Sequence, residues 1–396
     1  MGDKNHEVFK RKLRFGMVGG GPGAFIGEVH RKAARMDGQM ELVAGAFDIN
    51  PDKSKQMGAQ QYLDPKRTYG TYDEMIKGEL ALPREKRIDF VSITTPNNWH
   101  FPIAKAFLEN GFHVICEKPM TMNVAEALEL KKVVDKSGLV FALCHIYTGY
   151  PMVKLARDMV RGGDLGKIYK IVVQYPQGWL IRPIEKDGQM QASWRTDPKQ
   201  SGAAGCMGDI GTHAENLAEY VSGLKVKEIC ADLTTFVEGR RLDDDGNCLV
   251  RYEGGAKGLL FASQISIGEE NGLAIWVYGR DGALEWHQEH PNYVYVNRID
   301  APVEVWRRGN GYVAKKSPAA ARGTRIPAGH PEGYLEAFAN VFVNACDTMR
   351  CKIAGETPNP LMLDFPTVDD GVRGMRFIET VVESSRQGAV WVPMPK

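Results

Sequence analysis

The sequence has no apolar run near the ~20 residues that a membrane-crossing helix needs; its longest hydrophobic stretches are strand-length. It also has no excess of charge. Lys plus Arg number 50 against 49 for Asp plus Glu, a net charge of +1, which gives no electrostatic ground for nucleic acid or an anionic membrane as partner. Seven cysteines, at 116, 144, 206, 230, 248, 346 and 351, form no CxxC pair and no Cys/His zinc spacing. Such scattered thiols suit a reducing compartment, not a disulfide framework. The first twelve residues, MGDKNHEVFKRK, lack the apolar core of a secretory signal. The expectation is a cytoplasmic protein without a metal centre.

What is present is enough apolar material, 43% of the chain, to build substantial cores. At roughly 150 residues per domain, 396 residues suggest two or three domains. The first part alternates strand-length apolar runs (13–18, 41–47, 89–94, 112–116 and 139–143) with helix-like stretches near 24–36, 51–60, 100–110 and 123–136. Strands apolar on both faces that alternate with helices indicate an α/β domain with a doubly wound parallel sheet. Beyond residue 150 the pattern changes. Period-two runs at 226–237, 248–252, 257–267, 272–279, 283–288 and 292–297 are separated by glycine and acidic turns. They predict an α+β domain with a large, mostly antiparallel open sheet. Residues 307–328 read as a long loop, and helices are expected from 334 and over 366–386. The predicted division is 1–146 and 147–396, with the C-terminal helices free to pack back on the first domain.

Strand one runs into VGGGPGAFIG, in which Gly19, Gly21 and Ala24 fit G-x-G-x-x-A. Glycine suits a tight turn whose amides must approach a pyrophosphate, and the following helix N-terminus adds free N–H groups. Strand two ends at Asp48, whose carboxylate can accept from ribose hydroxyls and would repel a 2′-phosphate. Ile49 follows where an NADP-preferring chain often has Arg, although Lys53 and Lys55 lie nearby. NAD is therefore the expected cofactor, ahead of NADP. The plainer role for Asp48 is a turn or a helix cap.

Two further strands end in TTPNNWH (94–100) and CEKPM (116–120), at carboxyl ends where open α/β sheets bind ligands. Much later comes SGAAGCMGDIGTHAENLAEY (201–220). A helix beginning near 209 would put Asp209 and His213 on one face. Each has a plainer reading: Asp209 as a helix cap, His213 as a core histidine, Lys118 as the partner of Glu117.

These motifs, in this order, resemble the glucose–fructose oxidoreductase / inositol dehydrogenase / MocA-like (Gfo/Idh/MocA) oxidoreductase family. The resemblance covers the glycine loop, Asp48, TPNNWH, the triplet Glu117–Lys118–Pro119, WRTDP (194–198), D-x-G-x-H at Asp209, Gly211 and His213, and GHPEGYLEAFAN (329–340). Within the family the glycine loop and the 178–205 region look most like levoglucosan dehydrogenase and related sugar 3-dehydrogenases.

The resemblance implies an NAD-dependent dehydrogenase with Thr95, Pro96, Asn97, His100, Glu117 and Lys118 completing the cofactor site. His213 would be the base, Lys118 a hydrogen-bond donor to the reacting oxygen, and Asp209 an orienting carboxylate. A cyclic sugar or polyol suits the aromatics, amides and guanidinium of Tyr147, Tyr150, Gln177, Trp179, Gln191, Trp194, Arg195 and Thr196, joined by His330 from a later loop. His287 and His290 lack a further ligand set and read as surface residues. A homodimer or homotetramer joined through the exposed face of the second sheet is likewise implied. Two other readings keep the fold: a sugar-processing enzyme with permanently held NAD and no net redox change, and a sugar- or dinucleotide-sensing regulator.

Overall fold

The computed structural model describes residues 7–395. The chain makes two compact units. One comprises the chain through Thr121 with Ala125–Ile146 and Phe338–Gly371; the other comprises Met122–Val124, Tyr147–Ala337 and the chain from Val372 onward.

In the first unit, β1 (Leu13–Gly19), β2 (Met40–Ala46), β3 (Phe90–Thr94), β4 (His113–Cys116) and β5 (Phe141–Leu143) form a parallel sheet in the order β2-β1-β3-β4-β5. Every residue of β3 and β4 is buried, as expected when helices cover both faces. Helices α1 (Phe25–Met36), α2 (Pro51–Gln60), α3 (Tyr72–Ala81), α4 (His100–Glu109) and α5 (Val124–Ser137) supply the crossovers. Phe15 stacks on Phe90 at 5.3 Å, and Phe342, from the helix Tyr334–Ala354, packs edge-on against Phe90 at 6.4 Å. Those contacts tie the later helix to the first unit.

Helix α3 is absent from the expected pattern. Gly78 in its middle weakens the apolar periodicity, and the start is fixed instead by caps. Thr71 Oγ1 accepts from Glu74 N (3.1 Å), and the Glu74 carboxylate accepts from Gly70 N (3.0 Å).

The second unit is built on a nine-stranded sheet. Its strands are β6 (Ile168–Pro176), β7 (Val226–Thr234), β8 (Asp245–Tyr252), β9 (Lys257–Ser263), β10 (Ala274–Gly279), β11 (Ala283–His287), β12 (Tyr293–Asn297), β13 (Glu304–Arg307) and β14 (Val392–Pro393). The order is β13-β12-β11-β10-β6-β9-β8-β7-β14, antiparallel except for the parallel pair β6–β9. Burial alternates along β8 and β9, so one face carries the core. Helices α6 (Pro151–Arg161), α7 (Met190–Arg195), α8 (Pro198–Ser201) and α9 (Thr212–Ser222) precede or interrupt the strands, and α9 packs on β6, β9 and β10.

The region read as a loop after residue 307 holds two short helices, Gly311–Lys316 and Pro318–Arg322. The second starts on a local device: Ser317 Oγ accepts from Ala320 N (3.0 Å) ahead of a proline at the first helical position. Among the described residues no helix is long and apolar enough to cross a membrane. All seven cysteines are free thiols.

Candidate functional site

The glycine loop of the first unit is held against its neighbours with no room for side chains. A Cβ on Gly19 would sit 2.8 Å from the Thr94 carbonyl, and one on Gly21 would lie 2.9 Å from Phe47 O and 3.1 Å from Asp48 Oδ2. Asp48 therefore borders the loop. Its Oδ1 accepts from Asn50 N (2.8 Å), and Asn50, not Asp48, caps α2. Ala24 is the N-cap residue of α1. The close approach of that helix to the loop is carried by a later residue: a Cβ on Gly27 would come within 2.3 Å of the Gly20 Cα. Arg31, on the same helix, donates to Gly20 O (2.8 Å) and fastens the loop from behind. Neither Gly27 nor Arg31 belongs to the recognised fingerprint.

At the carboxyl ends of β3 and β4, His100 joins the two turns. Its Nδ1 lies 2.7 Å from Pro119 O and its Nε2 2.9 Å from Thr95 O. Burial outweighs those carbonyls and lowers its pKa. Asn97 is buried at the start of the short turn that leads into α4. The hydroxyl of Thr95 is buried and makes no hydrogen bond among the described residues. An orphaned donor at the strand end, beside a loop that only glycine can line, fits a dinucleotide laid across these turns.

Beneath the Glu117–Lys118–Pro119 turn lies a buried network that sequence reading missed. His30 Nε2 contacts Glu117 Oε1 (2.8 Å), His30 Nδ1 contacts Ser92 Oγ (2.8 Å), and Glu117 Oε2 accepts from Lys118 N (3.1 Å). Burial raises the Glu117 carboxyl, but the His30 hydrogen bond and the charges of His30 and Lys118 prevail and hold it below the ordinary carboxylate value. Ligand atoms of His30, Glu117 and Cys144 fall within 4.8 Å of one another. Burial raises the Cys144 thiol well above its ordinary value, and within the trio His30 is hydrogen-bonded to Glu117. His145, at the end of β5, is pushed down to about 3 by burial and the Lys118 ammonium, which keeps its imidazole neutral.

In the second unit, Asp209 and His213 occupy a segment wound differently from the expected α-helix. Residues Met207–Gly211 are π-helical and α9 begins at Thr212. Asp243 explains the irregular start: its carboxylate accepts from Gly205 N (2.7 Å) and Met207 N (2.8 Å). Burial raises that carboxyl to about 6. Widened turns of this kind concentrate at functional sites.

Asp209 Oδ2 receives Arg195 Nε at 3.1 Å and Gln264 Nε2 at 2.9 Å. The Arg195 guanidinium also stacks over Trp194 at 4.1 Å and donates to Gln191 Oε1 (2.7 Å). Tyr147 stands edge-to-face with His213 at 4.8 Å, and Tyr175 lies 6.3 Å from the same ring. Tyr147 also contacts Tyr175 hydroxyl to hydroxyl. Gln177 donates to Asn271 (2.9 Å) and accepts from Trp179 (3.0 Å).

Asp209, Arg195, Trp194, His213, Tyr147 and Gln177 thus belong to linked groups. Gln264, Tyr175, Asn271 and Asp243 are the members that sequence reading missed. His330 stands apart, exposed on a loop pinned from below. Buried Arg308 donates to the His330 carbonyl and to Glu332 Oε1, the latter at 2.7 Å.

Residues 13–145 match the family described as an oxidoreductase family with an NAD-binding Rossmann fold, and residues 153–285 match the GFO/IDH/MocA C-terminal domain. The uncharacterized oxidoreductase YfiI of Bacillus subtilis is 33% identical over 388 residues, 97% of this chain and 98% of that protein. The chain belongs to the Gfo/Idh/MocA family. It is an NAD-binding oxidoreductase. Among Gfo/Idh/MocA structures, an inositol dehydrogenase homologue from Azotobacter vinelandii complexed with NAD+ superposes with a TM-score of 0.92 at 37% identity, covering 97% of each chain. An inositol dehydrogenase homologue from Azotobacter vinelandii complexed with NADH and myo-inositol superposes with a TM-score of 0.89 at 36% identity, covering 97% of this chain and 98% of that one. Levoglucosan dehydrogenase of Pseudarthrobacter phenanthrenivorans is 25% identical over 411 residues, 98% of this chain and 99% of that enzyme.

Proposed function

We propose that this chain oxidises a secondary hydroxyl of a cyclic polyol, sugar or anhydrosugar to the ketone, with NAD as the acceptor. The observation that carries this reading is the arrangement within the second unit: Asp209, fixed by Arg195 and Gln264, one turn before a histidine framed by two tyrosines. The names of the inositol and levoglucosan dehydrogenase relatives support the substrate class.

Residues 1–146 hold the cofactor and 147–396 the substrate. Gly19, Gly21, Ala24, Asp48, Thr95, Pro96, Asn97, His100, Glu117 and Lys118 would hold NAD, which when bound supplies the hydride acceptor. The side chains do the rest. His213 takes the hydroxyl proton as the general base. Lys118 donates to the oxygen as it gains negative charge. The Asp209 carboxylate orients the imidazole or a neighbouring substrate hydroxyl. Tyr147, Gln177, Trp194 and His330 complete the sugar contacts, and Asp48 favours NAD over NADP. The enzyme works in the cytoplasm as a homodimer or homotetramer.

The test is a panel of cyclic polyols, myo-inositol and levoglucosan included, assayed with NAD and with NADP for reduced-nicotinamide absorbance. Accumulation of NADH with at least one member is the expected result. Nicotinamide retained through gel filtration with no net turnover on any member would overturn it.

A further inference from the structure

The helical segment that carries Asp209 and His213 has no cap of its own. It starts in Gly205, Cys206 and Met207, and Cys206 at the cap position makes no side-chain cap. The amides of all three residues are taken instead by one residue, 38 positions beyond Gly205. Asp243 Oδ1 accepts from Gly205 N (2.7 Å), its main-chain oxygen from Cys206 N (2.8 Å) and its Oδ2 from Met207 N (2.8 Å). A carboxylate accepts at both ends and brings the negative charge that a helix N-terminus favours. Position 205 is fitted to this clamp: a Cβ on Gly205 would lie 2.3 Å from Asp243 O.

The next residue holds the other side of the Asp209 contact. Asp244 O accepts from Gln264 N (2.9 Å), and the Gln264 side chain donates to Asp209 Oδ2 (2.9 Å). Asp244 is itself fixed, since its carboxylate accepts from Phe236 N (2.8 Å) and Val237 N (3.0 Å) and pairs with enclosed Arg240 at 3.3 Å. Arg240 continues to Glu185 (3.0 Å) and to the Arg182 carbonyl (2.9 Å), on the segment that leads to Arg195. Two consecutive residues therefore hold both the turn that bears Asp209 and the glutamine that meets it.

Resting on the sugar-dehydrogenase reading, we propose that Asp243 is a positioning residue for that oxidation: it holds Met207–Gly211 in the π-turn and so keeps the Asp209 carboxylate on Gln264 and Arg195. A π-turn contains one residue more than an α-turn. Released from Asp243, the segment relaxes to α-helix, and Asp209 rotates by about 100° around the axis, away from both partners. Asp243 acts only through the backbone of 205–207.

Asp243→Asn breaks the clamp with little change of shape. The amide has one oxygen where the carboxylate has two, so its NH2 group must face the amide of Gly205 or of Met207, donor against donor. The crystal structure of the variant should show 207–211 rewound as α-helix, with Asp209 parted from Gln264 Nε2 and Arg195 Nε. On a polyol that the wild type oxidises, kcat per NADH-binding site should fall about 30-fold or more, while NADH affinity stays within about threefold. A residue that served stability alone would lower the melting temperature and leave kcat per site unchanged. A retained π-turn with Asp209 still on both partners, or wild-type kcat per site, would overturn the proposal.

Hydrogen exchange of the wild type tests the clamp even if the variant fails to fold. The amides of 205–207 should exchange at least about 100-fold more slowly than in an unfolded chain, and rates close to the unfolded ones would overturn it. If the wild type oxidises no polyol at all, the functional reading fails, and the structure of the variant still decides what Asp243 holds.

Discussion

On the proposed reading the two units solve the same problem, holding a small polar molecule, with different materials. The first uses backbone. Its glycine loop, the carbonyls of Thr95 and Pro119, and the helix start at Ala24 are fixed by neighbours close in sequence or on the next strand. The second uses side chains drawn from distant segments. Gln264 reaches Asp209 across 55 residues, and Tyr175 reaches Asn271 across 96. A backbone cradle tolerates little besides glycine but asks nothing of remote partners. A side-chain network tolerates many residue types at each position, provided that every hydrogen bond finds its mate.

That contrast can be broken most forcefully at the chemistry. Lys118→Ala and His213→Ala should each lower turnover at least ~100-fold, and His213→Ala should leave NADH binding nearly unchanged. Steady-state rates and fluorescence titration check this, and near-normal turnover in both would remove the assigned roles. Next in size is the cradle. Gly21→Val should weaken NADH binding by about 30-fold or more, because its side chain would meet Phe47 O and Asp48. Substrate specificity should survive in that variant once cofactor is saturating. A smaller effect is expected from Asp48→Ala, which should move the NAD-to-NADP preference about 10-fold toward NADP by removing the repulsion of a 2′-phosphate.

Acid sharpens the comparison at the level of stability. In the first unit burial lowers His113 to about 4, and its neutral ring accepts from Val140 N (2.9 Å). Between pH 6.5 and 4 the unfolded chain binds a proton that the folded one refuses, so stability from this group is lost as pH falls. In the second unit burial raises Asp243 to about 6. Between pH 6 and about 4 the folded chain holds a proton that the unfolded one has released, so this group favours folding more as pH falls. Each amounts to about 3 kcal/mol at full extent. Denaturant unfolding of His113→Asn across pH 4–7 should show less acid destabilisation than the wild type, and Asp243→Asn should show more. The same sign for both variants would contradict the assignment.

The same division governs what could be read from the chain alone. The first sheet was legible because near-continuous apolar runs alternate with helices, and the cofactor loop because its chemistry is contiguous. Gly27 and Arg31 escaped because their partner, Gly20, is met only once α1 folds back. His30 escaped for a similar reason: nothing local predicts that a helix residue will pair with Glu117, three strands further along the chain. In the second unit Asp209 and His213 were visible through their motif, while the π-turn was not, since it depends on Asp243 reaching back from the turn before β8. Gln264, Tyr175 and Asn271 carry no motif. Only the register of the sheet brings them to the site.

The proposed function requires Lys118 and His213 to act on one oxygen of one substrate. A crystal structure with NADH and a turned-over polyol tests it most directly. The prediction is a single substrate oxygen within about 3 Å of both the Lys118 Nζ and a ring nitrogen of His213. A bound polyol with those two groups more than about 10 Å apart, well beyond hydrogen-bond reach, would contradict it.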